Sequence, residues 1–469
     1  MAYQIPFAIP ALSYDEALSY VKSLVVMGIC PLLETVEEML AELGDPDLCY
    51  DCVQIAGTNG KTSTARYTAA ILAGEGLNAG LYTSPELIHY TERMEIGGAP
   101  ICPEDFALGV AAAREAGERI NQRRERAGLQ PYAVTEFDTL TVAALVVYAL
   151  HSVDVAVLEV GMGGRWDATS AAKSIRSVAI TGIGLDHTRI LGDTLPKIAA
   201  EKAAVLQAGR TCVLGVGTAT PHAVEDVFLA RAREQGVRPL LVRGAQSDDV
   251  GAIAHPGTPR AHAGLGQATY AIASHPTQLG SSLRLDVRTP LATYTGVSAV
   301  KPSYQAANIT CAIALAESYL GRELDSGRLL ESVRSCPTPG RFDVVRDDPL
   351  GLIDACHNPQ SVRVFLEAVG AMEPDVERRP CLLCAVLADK DVDGIVELLA
   401  HAFPRVVVTR TSSPRALSAR ELAQAFESHR LRPQATCDDL AQAVALLKDE
   451  PFVACGSITT AGEVAALFR

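Results

Sequence analysis

The residues best suited to chemistry lie in one short stretch, Gly57-Thr58-Asn59-Gly60-Lys61-Thr62-Ser63. It follows the apolar run Val53-Gln54-Ile55-Ala56 and precedes an Ala-rich helical pattern over residues 65–73. Glycines at such a turn let backbone N–H groups face an anion, and the helix that follows presents the positive end of its dipole. Lys61 can reach the β- and γ-phosphates of a nucleotide, and a hydroxyl from Thr62 or Ser63 can hold Mg²⁺. The full phosphate-loop pattern asks for a glycine five residues before Gly60, where Ile55 stands, so the loop is a shorter form. Asn59, Gly60, Lys61, Thr62 and Ser63 are its candidate ligands. The competing reading is an ordinary strand–helix turn.

The elements that would position these residues alternate. Residues 14–26 and 32–43 have helical spacing, 80–82 form a short strand, and 103–127 and 138–150 are helical. The nearly continuous apolar runs 153–160 and 177–184 are expected to be strands buried on both faces. A helix at 195–206 and a strand at 210–216 follow. This is the pattern of a parallel, doubly wound α/β sheet, whose ligands bind beyond the carboxyl ends of the strands. Polar groups stand just past four such ends: Lys61, Ser84, Glu159 and His187. Singly they read as a turn serine, a solvated glutamate and a loop histidine. Together, beside a phosphate loop, they can supply oxygen and nitrogen ligands to a divalent ion.

Between 238 and 300 the texture changes, and residues 282–289 alternate as in an antiparallel region. Residues 303–320 are helical and carry Gln305 and Asn308. After Cys336-Pro337-Thr338-Pro339-Gly340-Arg341, short apolar strands at 352–355, 381–387, 405–408 and 452–455 alternate with helices. The expectation is an N-terminal phosphate-loop ATPase domain over 1–336, with a mostly parallel sheet plus a smaller antiparallel region. A Rossmann-like α/β domain over 337–469 completes it.

The 469 residues are 48% hydrophobic and 20% charged, which describes a globular protein long enough for two or three cores. A net charge of −14 argues against nucleic acid or an anionic membrane as partner. No apolar run is long enough to span a bilayer, and the amino terminus lacks a signal peptide's basic and apolar regions, so a cytoplasmic location is expected. The pairs Cys49/Cys52 and Cys381/Cys384 read as core thiols in preference to a zinc site.

Further segments complete a recognisable set: TSPEL at 83–87, TERMEIGG at 91–98, EVGMGGRWDATS at 159–170 and ITGIGLDHTRILGDTLPKIAAEKAAVL at 180–206. QAAN at 305–308, PGRFD at 339–343, DACHNP at 354–359, ADKD at 388–391 and GSITTAG at 456–462 follow. With these the chain resembles the folylpolyglutamate synthase/dihydrofolate synthase branch of the Mur ligase family, almost from end to end. The resemblance implies an ATPase domain, a linker and a Rossmann-like domain, with the active site in the cleft between them. It implies ATP-dependent amide formation between a folate or pteroate carboxyl and the amine of L-glutamate. A monomer is expected.

The resemblance also assigns roles. Asn59 to Thr62 would hold ATP phosphates, and Asn308, Arg341 and Asp354 would contact ATP across the cleft. Ser84, Glu159 and His187 would bind Mg²⁺, with two ions expected. Lys202 matches the lysine that the family carbamylates, which would make it a further metal ligand; the alternative is an ammonium ion on phosphate. Thr135 and Trp166-Asp167-Ala168 match positions near the pteroate. In the smaller domain, His357 and, more weakly, Ser413 and Arg415 would face glutamate; a capped helix start at 354–358 is the alternative there. Lys61, His187 and Lys202 are the expected catalytic residues.

Departures concern substrate choice more than chemistry. Thr62 replaces a family glycine, so Thr62 or Ser63 could hold the first ion. Glu86 stands where a histidine is usual, and Cys356 lies in an altered DACHNP turn. Two rivals remain: a Mur-type ligase acting on a non-folate carboxylate, and a nucleotide-binding switch without ligase chemistry. If His187 binds a metal it must be neutral, and activity should fall below about pH 6.5.

Overall fold

The computed structural model describes residues 3–24, 32–215, 222–245 and 265–468. Two compact units emerge. One comprises Met1–Ala271, Leu285–Val297 and Gln305–Cys336; the other comprises Ile272–Arg284, Ser298–Tyr304 and Pro337–Arg469. The second unit thus takes two segments, 272–284 and 298–304, from the region that the linker at 337 was expected to close off. The reason is local. Leu279 packs on the smaller core, and Lys301 bonds to the backbone of Arg341 and Phe342.

The larger sheet contains β1 (Asp51–Ala56), β2 (Ala79–Tyr82), β3 (Met94–Ile96), β4 (Ala99–Pro100), β5 (Val155–Glu159), β6 (Ile175–Ile180) and β7 (Thr211–Leu214). It continues with β8 (Leu240–Gly244), β9 (Gln267–Ser274), β10 (Leu283–Arg288) and β11 (Thr293–Ala299). Their order is β11-β10-β9-β8-β7-β6-β1-β5-β2-β3-β4. From β2 through β9 the pairings are parallel. Antiparallel pairing closes one edge, where β3 meets β2 and β4 meets β3. The β3–β4 hairpin begins at Met94 and ends at Pro100. Between 238 and 300 the parallel run reaches further than expected, because β8 and β9 pair in parallel. Residues 246–264 lie outside the described part.

Register explains why one end of this sheet gathers the polar residues. Ile55 pairs with both Glu159 and Ala179, and Tyr82 pairs with Leu158. The chain therefore leaves β1, β2, β5 and β6 at nearly one level, and the next residue of each becomes loop.

The helices begin with α1 (Tyr14–Leu24), α2 (Leu33–Glu42) and α3 (Lys61–Gly74). Residues 25 and 26 of the first expected helix lie outside the described part. Then come α4 (Pro103–Arg126), α5 (Glu136–Leu150), α6 (Thr188–Leu191), α7 (Leu195–Ala203), α8 (His222–Glu234), α9 (Gln305–Leu320) and α10 (Ser326–Ser335). α5 is buried from Asp138 to Ala149, which its near-absence of polar residues dictates. The apolar faces of α1, α2, α4 and α5 and of β1, β5 and β6 share one core with Phe106, Tyr82 and Tyr148.

The smaller unit holds β12 (Asp343–Arg346), β13 (Gly351–Ile353), β14 (Cys381–Cys384), β15 (Val406–Val408), β16 (Ala435–Thr436) and β17 (Phe452–Cys455). Their order is β12-β13-β17-β14-β15-β16, parallel except for the edge strand β12. α11 (Pro359–Met372) follows β13 and starts with an Asn358 capping box. Phe342, Phe365 and Phe426 lie in its core. Cys52, Cys381 and Cys384 are buried and reduced, as core thiols should be, whereas Cys49 is exposed. No helix among the described residues is long and apolar enough to cross a membrane.

Candidate active site

The glycine loop is held from three sides. Thr58 and Asn59 donate their backbone N–H groups to Gly182 O at 2.7 and 3.1 Å, tying the loop to the end of β6. Lys202 Nζ donates to Gly57 O at 2.8 Å from the last turn of α7. Asn308, on α9, lies against Gly60. That glycine adopts φ +90°, and a Cβ there would sit 2.4 Å from Asn308 Oδ1. Both facts demand glycine. Asn308 belongs to the same unit as the loop, and α9 brings it in from beside α3. Lys61 opens α3 and folds back, its Nζ donating to Thr58 O at 3.2 Å.

Glu159 joins two loops. It is 2% exposed; its Oε1 accepts from Thr62 Oγ1 at 2.9 Å and its Oε2 from the Ser84 N–H at 3.4 Å. Thr62 therefore shares a carboxylate with the Thr83-Ser84-Pro85 turn. Ser63 points elsewhere: its Oγ accepts from Gln305 Nε2 at 3.1 Å, and Gln305 Oε1 accepts from Asn308 Nδ2 at 2.9 Å. Geometry thus separates the two hydroxyls that the sequence left equivalent. Thr62, Ser84 and Glu159 present oxygen donors, the set that suits a hard divalent cation. Among the described residues, no group of three or more His, Cys, Asp or Glu side chains is arranged for a metal.

Lys202 is the most perturbed cation of the site. It is 4% exposed, and burial, then repulsion from Lys61, pushes its amine down to about 7, with Asp186 and Asp167 opposing the shift. A lysine so placed is substantially neutral near neutral pH. His187 occupies a left-handed turn at the start of α6, with φ +48°. Its side chain is 48% exposed and its Nε2 lies 3.7 Å from Asp186 Oδ2.

The substrate candidates divide. Thr135 caps α5 in a reciprocal box with Asp138, so its hydroxyl is engaged in helix capping. Asp167 is buried and organises its own loop, accepting from Met162 N and from the N–H and hydroxyl of Thr169. Burial raises its carboxyl above the usual range, against those hydrogen bonds. Ala168 is also buried. Trp166, the only tryptophan in the chain, is 50% exposed; Leu185 is exposed on the loop after β6, and Ile190 on α6.

In the smaller unit, Asp354 follows β13. Its Oδ2 accepts from Phe342 N at 2.8 Å and its Oδ1 from Cys356 N at 2.9 Å. Burial raises its carboxyl, and the Arg341 guanidinium opposes that. His357 Nδ1 lies 3.0 Å from Ala355 O, while Asn358, not Asp354, caps α11. Ser413 Oγ accepts from Arg415 N, and the Arg415 guanidinium pairs with Asp389. Sequence reasoning gave no role to Asp186, to the Gly57 carbonyl or to Gln305, although each lies in a motif: 180–206, 57–63 and 305–308.

Residues 55–249 match the Mur ligase middle domain, and residues 340–453 match the Mur ligase, glutamate ligase domain. The chain is 32% identical to a dihydrofolate synthase/folylpolyglutamate synthase of Mycobacterium tuberculosis, over 94% of this chain and 90% of that one. Its structure superposes on a folylpolyglutamate synthase of the same organism complexed with ADP and AMPPCP. That match has TM-score 0.80 and 29% identity, covering 97% of this chain and 99% of the other. It also matches a bifunctional folylpolyglutamate synthase/dihydrofolate synthase with Mn, AMPPNP and L-glutamate bound, at TM-score 0.74 and 26% identity, over 98% and 99% of the two chains. On this identity and coverage, the chain belongs to the folylpolyglutamate synthase/dihydrofolate synthase branch of the Mur ligases, a family of ATP-dependent ligases.

Proposed function

We propose that this protein joins L-glutamate to a folate or to dihydropteroate at the expense of ATP, through an acyl phosphate. The observation that carries the reading is the convergence of Lys61, Thr62, Ser84, Glu159 and Lys202 at the carboxyl ends of adjacent parallel strands.

A carboxylate is a poor acyl donor because oxide is a poor leaving group. Transfer of the γ-phosphoryl group to a carboxylate oxygen breaks the β,γ bridge of ATP and turns the acyl leaving group into phosphate. The glutamate amine then attacks the acyl carbon, loses a proton, and expels phosphate. Positioning and charge neutralisation are the main demands of the first step. Asn59, Gly60 and the amino end of α3 would hold the phosphates, and Lys61 would release Thr58 O to meet the γ-phosphate. Thr62, Ser84 and Glu159 would hold a divalent ion, with His187 toward a second. Such an ion neutralises phosphate charge when bound. Ser63 supports Gln305 and Asn308 beside the loop.

Lys202, neutral in part near pH 7, has the free electron pair needed to add to carbon dioxide. The carbamate forms as the N–C bond is made and a proton leaves, which exchanges a cation beside Lys61 for an anion. Relief of that repulsion supports the carbamate over an ammonium ion. Trp166 would give an exposed aromatic face to the pteroyl ring. Arg341 and Asp354 are assigned to the nucleotide, and His357, Ser413 and Arg415 to glutamate.

The test is direct. The protein is incubated with ATP, Mg²⁺ and labelled glutamate, and dihydropteroate, tetrahydrofolate or a cell extract is offered in turn. Labelled product with either pterin is expected. Phosphate release with product only from extract would overturn the folate reading in favour of a non-folate carboxylate, the rival for which Thr62 speaks. Absence of release throughout would favour a switch.

A further inference from the structure

Arg341 stands in a turn that is unusual for its residues. Gly340 has φ +65° and Phe342 has φ +47°. For a bulky residue the left-handed region is strained and persists only where the surroundings fix it. Here they do so from both electrostatic sides. The anionic side is Asp354, whose Oδ2 accepts from Phe342 N. The cationic side is Lys301, whose Nζ donates to Arg341 O at 2.9 Å and to Phe342 O at 3.0 Å. Lys301 is 8% exposed, and lysines are seldom buried unless their charge is matched. Two further bonds brace the turn, Gly340 N to Asp343 Oδ2 and Ala355 N to Gly340 O. The Phe342 ring, 5.9 Å from that of Phe365, anchors it in the core.

Gly340 and Phe342 are buried in this turn while Arg341 is half-buried, and its guanidinium lies near enough to Asp354 to oppose the rise of that carboxyl. The backbone that carries Arg341 is thus fixed by its neighbours on both sides. Lys301 lies before α9, 40 residues upstream, in a segment that joins the smaller unit only through the fold.

We infer that Lys301 is a positioning residue for the nucleotide: its ammonium group, with Asp354, holds the strained Arg341-Phe342 turn so that the Arg341 guanidinium is preset for an anionic phosphate ligand. The inference rests on Arg341 being a nucleotide ligand. The functional consequence is selective. Loss of the ammonium group should loosen the Arg341 turn and weaken ATP binding, while the phosphate-loop residues stay in place. A misplacement of about 1 Å at such a group costs up to roughly 100-fold, and a partly braced turn should cost less.

The experiment compares Lys301→Met, Lys301→Arg, Arg341→Ala and the double variant Lys301→Met/Arg341→Ala in the full chain. KM for ATP, kcat and ADP affinity by calorimetry are measured on the folded fraction. Lys301→Met should raise KM for ATP and the ADP Kd roughly tenfold, with a smaller effect on kcat, and Lys301→Arg should recover part of it. The double variant should bind nucleotide no more weakly than Arg341→Ala alone, because Lys301 acts through that residue. If Arg341→Ala weakens nucleotide and Lys301→Met leaves it within twofold, the inference is overturned. Effects that multiply in the double variant overturn it too, since Lys301 would then act independently. A silent Arg341→Ala overturns the underlying assignment and the inference with it. If Lys301→Met lowers thermal stability and the active fraction but leaves KM and Kd of the surviving enzyme unchanged, the role is structural and the inference falls.

Discussion

Lys202 Nζ donates to the main-chain carbonyl of Gly57 at 2.8 Å, so the last turn of α7 fastens the first residue of the glycine loop. The contact puts a buried amine beside Lys61, and the amine gives up its proton readily as a result.

That relationship has a pH signature. The Lys202 amine is pushed from 10.5 down to about 7 in the folded protein. Between these values the unfolded chain holds a proton that the native chain does not, so this group makes stability rise with pH from about 7 to about 10.5, and contributes no slope below 7. The rise is at most about 1.4 kcal/mol per pH unit. Denaturant unfolding in carbon-dioxide-free buffer should show it in the parent protein and a flatter profile in Lys202→Met. Equal slopes would mean the amine is not depressed. The same variant should lose activity roughly 100-fold, and added short carboxylic acids should restore part of the activity of Lys202→Ala if a carbamate is the working form.

Thr62 and Ser63 should respond differently to loss of their hydroxyls. Thr62→Val removes the group on Glu159 and should raise the Mg²⁺ concentration for half-maximal phosphate release roughly tenfold. Ser63→Ala leaves that side intact and orphans Gln305 Nε2, which costs about 1–3 kcal/mol of stability with little change in Mg²⁺ dependence. Magnesium titrations and chemical denaturation separate the two. The reverse pattern would transfer the metal role to Ser63.

Gly60→Ala should fail for two reasons that can be separated. Its φ of +90° strains any side chain, and the new Cβ would displace Asn308 Oδ1 from 2.4 Å. Adding Asn308→Ala removes the collision but not the strain. The double variant should therefore lose less stability than the sum of the two single changes, with about 1–2 kcal/mol remaining from the backbone. Thermal unfolding of the set decides it, and simple additivity would contradict the close approach.

Trp166 supplies its own assay, since it is the only tryptophan and half its surface is open to solvent. Dihydropteroate or tetrahydrofolate should quench its emission saturably, beyond the inner-filter loss measured with free tryptophan. Trp166→Phe should keep turnover and raise the pterin KM several-fold, within the roughly 0.5–1.5 kcal/mol of a stacked aromatic pair. An unresponsive spectrum would move the pteroyl ring elsewhere.

What is local could be read from consecutive residues. A buried strand running into Gly57–Ser63 and a helix is encoded by apolar patterning and two glycines, and the structure places α3 from Lys61 onward. The same holds for Ser84, Glu159 and His187: Glu159 ends β5, and Ser84 and His187 follow β2 and β6, strands whose apolar runs were legible. Tertiary structure decided what depends on residues far apart in the chain. That Thr62 faces Glu159 and Ser63 faces Gln305 follows from how α3 lies between β5 and α9, which no single segment encodes. Asn308 beside Gly60, the neutral tendency of Lys202 and the Lys301 clamp on the Arg341 turn have the same origin. Burial and electrostatic pairing are set by neighbours brought from distant positions, whereas helix, strand and turn preferences are written into consecutive residues.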